Sequence, residues 1–186
     1  MIGTDFVIDS RMSISINDNL EGGENDMLII EAIILCALFG GICYFNTGND
    51  EKNIKSFSSY SDEVQRIIRE NPILKSKIKI PAPITSFVSN ILIFSVVLFI
   101  FGLFIKQESF MINFINILIL GQFLNAFDFL IIDMVWWRNS KRIRFTGTEN
   151  NQGLYHNPQK HFISFLKGIM VFLIVAIIDG LILSMF

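Results

Sequence analysis

The sequence predicts an all-α integral membrane protein, a four-transmembrane-helix bundle with two basic cytoplasmic loops and an acidic extracytoplasmic N-terminal tail. Three observations lead there: four apolar runs of spanning length, sparse charge kept almost wholly between them, and basic residues that alternate from loop to loop. Of 186 residues 52% are hydrophobic and only 17% charged, with 19 phenylalanines. So few charges and so much apolar surface exclude a disordered chain. The net charge of -2 gives no field that favours nucleic acid. Cys36 and Cys43 stand seven residues apart in one apolar run, about 10 Å of helical rise. That is too far for a disulfide, so a disulfide scaffold is excluded as well.

The spans are expected at 27–45, 84–105, 111–137 and 162–186, each near the roughly 20 residues that cross a bilayer core. None shows the alternating pattern of an outer-membrane barrel strand. Orientation follows from lysine and arginine. The tail 1–26 carries Arg11 alone against six acids, and the turn 106–110 carries Lys106 alone. The loop 46–83 holds seven basic residues and the loop 138–161 holds five, so alternate sides total twelve against two. The positive-inside rule then puts both loops in the cytoplasm and both termini outside. The tail does not read as a secretory signal, and residue 2 is Ile rather than a myristoylation glycine. Abundant Ile, Asn and Lys suggest an AT-rich bacterial genome and hence the plasma membrane.

Within the first loop, Ser61 followed by Asp62 and Glu63 starts a short helix over 62–70, which Asn71-Pro72 stops. Lys75, Lys77 and Lys79 then alternate with Ser76, Ile78 and Ile80, an extended strip suited to headgroups. The loop as a whole reads as a solvated topology determinant. In the second, Trp136-Trp137 belongs to an interfacial aromatic belt, and the run 142–145 reads as a short strand. The cluster Arg138, Lys141, Arg142 and Arg144 is a candidate contact for an anionic headgroup or a partner. His156 and His161 lack the same-face spacing of a metal helix and have no cysteine nearby, so neither metal nor cofactor is expected. Phosphate-loop, dinucleotide, kinase and nucleophile-elbow patterns do not occur.

The chemistry-bearing residues are the polar groups inside the spans, because a carboxylate at a helix centre costs roughly 2.5–3.5 kcal/mol to insert. Glu31, near one end of its span, is expected to stay solvated. Asp133 is expected to pair with Lys167 or Arg138. Gln122, Asn125 and Asp128 recur every three residues, and Asp133 falls near the Gln122 direction on an ideal helix, giving the third span one polar face. With Asp179 of the fourth span they form the candidate intramembrane polar site. Small residues at four-residue spacing, Ala32, Cys36 and Gly40 in the first span and Ala176, Gly180 and Ser184 in the fourth, are expected to pack these two helices together or to pair two copies of the chain.

Three functions fit. The first is a transport or permease-type component using the polar face of the third span, with a homo-oligomer or ATP-binding partner subunits completing the path. The second is a non-catalytic interaction, assembly, sensor or immunity-type protein. The third, a lipid-directed enzyme with Asp128 or Asp133 as acid or base, lacks a nucleophile or metal set.

Overall fold

The computed structural model describes residues 26–186, so nearly all of the acidic tail expected at 1–26 lies outside the described residues. Four helices are long and apolar enough to span a membrane. They are α1 (Asp26–Phe45), α5 (Pro83–Gly102), the rod that begins as α6 (Phe110–Phe127), and α7 (Gln159–Leu183). Between α1 and α5 lie α2 (Asp50–Asn53), a 3-10 turn (Ile54–Ser59), α3 (Asp62–Glu70) and α4 (Pro72–Lys75). No strand occurs among the described residues. The one expected at 142–145 is replaced by a 3-10 turn over Lys141–Ile143, begun by Ser140, whose side chain accepts from Arg142 N.

Local chemistry sets the helix ends. Pro83 and Pro72 occupy first-turn positions, where a missing N–H costs nothing. The Ser61 hydroxyl accepts from Val64 N, and Asn71 Oδ1 accepts from both Ile73 N and Leu74 N. At the start of α7, Asn157 Oδ1 accepts from Gln159 N at 3.0 Å and Pro158 precedes the first turn. α6 does not end at Phe127: it continues as a π-helix over Asp128–Trp137, making one unbroken 28-residue rod. A π stretch of that length is uncommon and frequently marks a functional position.

Two cores result. In the bundle, Leu98, Ile117, Leu120, Val175 and Ala176 have no accessible surface (0%), while large aliphatic side chains such as Ile33, Leu92, Ile119 and Leu181 are exposed outward. An apolar interior wrapped in an apolar exterior is what a lipid-facing bundle needs and what water disfavours. α7 packs on α6 more extensively than on α5. The small-residue stripe of α7 therefore serves α6 rather than α1 as expected: a Cβ on Gly180 would sit 3.0 Å from the backbone N and Cα of Phe114.

The second core corrects the expectation of solvated loops. The segments 46–82 and 138–158 fold together into a cap at one end of the bundle. Phe57, Tyr60, Val64, Ile68, Ile143 and Phe145 are all buried within it. Tyr60 is its hub, with its ring 5.0 Å from those of Trp137 and Phe145 and its hydroxyl donating to Ile143 O at 2.8 Å. Asn53 Nδ2 donates to Arg142 O, Ser61 Oγ to Leu154 O, and Thr146 N to Asp50 Oδ1. Ion pairs Lys160–Asp62 and Lys77–Glu51, each 2.6 Å, tie its edge to α7 and close its own surface. Burial pushes the Tyr60 and Tyr155 phenols above their ordinary range, so both stay neutral; Tyr155 Oη accepts from Phe145 N.

Candidate functional site

The cap is clamped to α1 by Arg142. The last carbonyls of a helix lack intrahelical donors; Arg142 Nη2 donates to Tyr44 O at 3.2 Å and to Thr47 O at 3.0 Å, with its guanidinium 4.0 Å from the Tyr44 ring centroid. The chain reaches this geometry through Gly48, at φ +117, where a Cβ would stand 2.7 Å from Arg142 Nη2. Arg144 is buried and donates to Glu149 O. Lys141 is exposed and Arg138 partly buried at the end of the π-helix. The four cations thus do not converge, because two of them are engaged in holding backbone carbonyls of the fold.

The expected polar face of α6 also divides. Gln122 Nε2 donates to Ile169 O and Asn125 Nδ2 to Phe165 O, both at 3.1 Å, so these amides bolt α6 to α7. The bolt is tight at Gly168, where a Cβ would lie within 2.8 Å of the Asn125 amide carbon. Asp128 and Asp133 line open space, and Asn125 borders part of it. A cavity of about 260 Å3 lies between the C-terminal turn of α1, the π-helix, the start of α7 and the cap. Its polar lining includes Asn46, Thr47, Asp128, Asp133, His161 and Ser164. A neighbouring cavity of about 590 Å3 shares Ser59, Asp128 and Ser164 and runs between α5 and α7.

Asp133 pairs with His161, correcting the expectation of Lys167 or Arg138. His161 Nδ1 lies 2.8 Å from Asp133 Oδ1, and both residues are buried. A carboxylate only accepts, so His161 Nδ1 is the donor of this bond. The Trp137 ring stands edge-on 5.5 Å from the imidazole and fixes its plane. Asp128, partly buried, is near enough to interact electrostatically with both partners. This is two carboxylates and an imidazole around one polar cavity, an arrangement able to accept, hold and pass on a proton.

His161 was the residue sequence reasoning missed. Drawing the fourth span from 162 leaves it just outside, whereas Pro158, a helix-start signal, places it in the first turn of α7. Asp179 is not part of this site: it is 18 residues farther along α7, about 27 Å, with its carboxylate facing the Ser95 hydroxyl of α5. Glu31, expected to be solvated, is buried, and neither of its carboxylate oxygens has a hydrogen-bond partner. No group of three or more metal-ligating side chains occurs among the described residues. Compared with known protein families, curated proteins and solved structures, the chain matches none of them.

Proposed function

We propose that this chain is a multi-pass plasma-membrane protein, with its cap in the cytoplasm and both termini outside, that acts as a small transport or permease-type component. The observation carrying the reading is the buried Asp133–His161 pair beside Asp128 on a polar cavity that opens under the cap. Ionisable groups at membrane depth are costly and usually mark a pathway for a proton, ion or solute. A proton enters from the cytoplasm past Asn46 and Thr47, is held between Asp133 and His161, and reaches Asp128. Beyond Asp128 the way is filled by Leu124, Leu120 and Ile117, so this is the arrangement closed toward the outside. Transport requires that dry layer to open, with a second copy or partner subunits completing the path.

The test is flux into proteoliposomes loaded with a pH-sensitive dye, with the full chain alone and with whatever membrane or ATP-binding proteins co-purify with it. Wild-type vesicles should acidify faster than protein-free vesicles under an imposed gradient, and Asp128→Asn should abolish the difference while leaving the fold intact. Flux equal to protein-free vesicles in both preparations would sink the transport reading.

One observation favours a second reading, a non-catalytic assembly, sensor or immunity-type protein: the two loops build a cap with its own buried core, which suits a docking platform. Stoichiometric capture of a non-transporter partner through the cap, with no flux, is the outcome that selects it.

A further inference from the structure

Among the described residues Lys167 is the one basic residue placed well inside a long apolar helix, eight residues or about 12 Å past the start of α7. Asp133, its expected partner, is paired with His161, and Lys167 makes no ion pair among the described residues. It lines the cleft of about 590 Å3 between α5 and α7. A lysine at that position either reaches back toward the interface or meets an anion.

The cleft itself is amphipathic along its length. Near the cap end its wall carries Lys160, Ser164 and, across on α5, Ser86 and Asn90; farther in it is walled by Phe87, Phe94, Val171 and Phe172. Asn90, Ser164 and Lys167 are exposed, so the cleft opens onto the outer face of the bundle rather than enclosing its contents. At this volume it falls within the range of small-molecule sites, roughly 300–1,000 Å3, and takes a headgroup with the first part of a chain, not a whole two-chain lipid.

We propose that the α5–α7 cleft binds an anionic phospholipid of the cytoplasmic leaflet, its phosphate held by Lys167 with the Ser86 and Ser164 hydroxyls, and its acyl chain lying on the Phe87–Phe94–Phe172 wall. This rests on the membrane placement given above but not on transport. Charge complementarity selects the occupant: a positive mouth with an apolar continuation fits a molecule that is anionic at one end and aliphatic beyond it. Asp128, on the inner wall, repels phosphate from the deeper space and keeps it at the mouth. Lys167 thus replaces the arginine-rich loop as the anion-binding element, since Arg142 and Arg144 already serve backbone carbonyls and Lys160 is paired with Asp62.

The experiment is native mass spectrometry of the full chain in detergent, titrated with phosphatidylglycerol or with phosphatidylcholine of the same chains. The wild type should retain one phosphatidylglycerol in preference to phosphatidylcholine. Lys167→Gln should weaken phosphatidylglycerol retention about fivefold, the effect of one lysine on an anionic lipid. Lys167→Arg should restore it, and Lys55→Gln, which removes an exposed charge elsewhere, should change nothing. Equal retention of the two lipids overturns the proposal, as does an equal effect of Lys55→Gln. Displacement of phosphatidylglycerol by inorganic phosphate at millimolar concentration overturns it in favour of a free-anion site.

Discussion

Truncating either member of the Asp133–His161 pair should destabilise the bundle, and truncating both should cost less than the sum. The His161 and Asp133 side chains keep 8% and 12% of their surface, N to O at 2.8 Å. A buried ion pair broken on one side can cost about 3–5 kcal/mol because a charge is left without a partner. Here the adjoining cavity of about 260 Å3 is polar and roomy enough to admit water, which reduces that penalty. We therefore expect Asp133→Ala and His161→Ala each to lose about 2 kcal/mol. His161→Ala also loses the Trp137 ring contact, but that part is common to both arms of a double-mutant cycle and cancels. The double variant should recover about 1 kcal/mol relative to additivity, near the upper values for hydrogen bonds between transmembrane helices. Unfolding by sodium dodecyl sulfate in mixed micelles measures all four corners. Additivity within about 0.3–0.5 kcal/mol would show that the two groups do not interact and would remove the pair from any functional argument.

Gly168→Ala should lower thermal stability in detergent by about 1–3 kcal/mol, since the new methyl displaces the Asn125 amide from Phe165 O, while Gly41→Ala, with nothing within 4 Å, should be neutral or slightly stabilising. Gly180→Leu should be worse than Gly102→Leu, because Gly180 faces the Phe114 backbone and Gly102 faces the movable ends of Ile117 and Leu183; equal melting temperatures would remove that distinction. The Tyr60 and Tyr155 phenols are held above their ordinary value by burial, so their contribution is complete below about pH 10, the unfolded value, and is lost as pH rises toward the folded values. Tyrosinate absorbance and cap unfolding should therefore rise together in alkali, and early ionisation with an intact cap would contradict the burial. For orientation, a cysteine at exposed Glu108 should react with an impermeant reagent outside intact cells and one at exposed Glu70 should not; the reverse pattern would invert the topology.

The long helices were legible because span length and apolarity need no tertiary information. The end of α3 was equally plain, since Ser61, Asp62 and Asn71-Pro72 act through local backbone chemistry. What one sequence could not show was non-local. Tyr60, Ile143 and Phe145 look like scattered aromatics and aliphatics in polar loops until two segments more than 80 residues apart meet. Gln122 and Asp133 both turn to α7, one bonding Ile169 O and the other His161, although the turn between them changes to π geometry from Asp128. Gln122 and Asn125 carried a correct signal of interior placement, but composition cannot tell a bolt between helices from the lining of a path.

The unbroken rod from Phe110 to Trp137 has a mechanical consequence. Its last residue, Trp137, is seated in the core of the cap, while four and nine residues earlier the same rod carries Asp133 and Asp128 into the cavity. No loop separates the two ends to absorb a twist. A torque applied to the cap would therefore reach the carboxylates with no hinge between to absorb it, and the least regular helical stretch is the point where that torque would be spent.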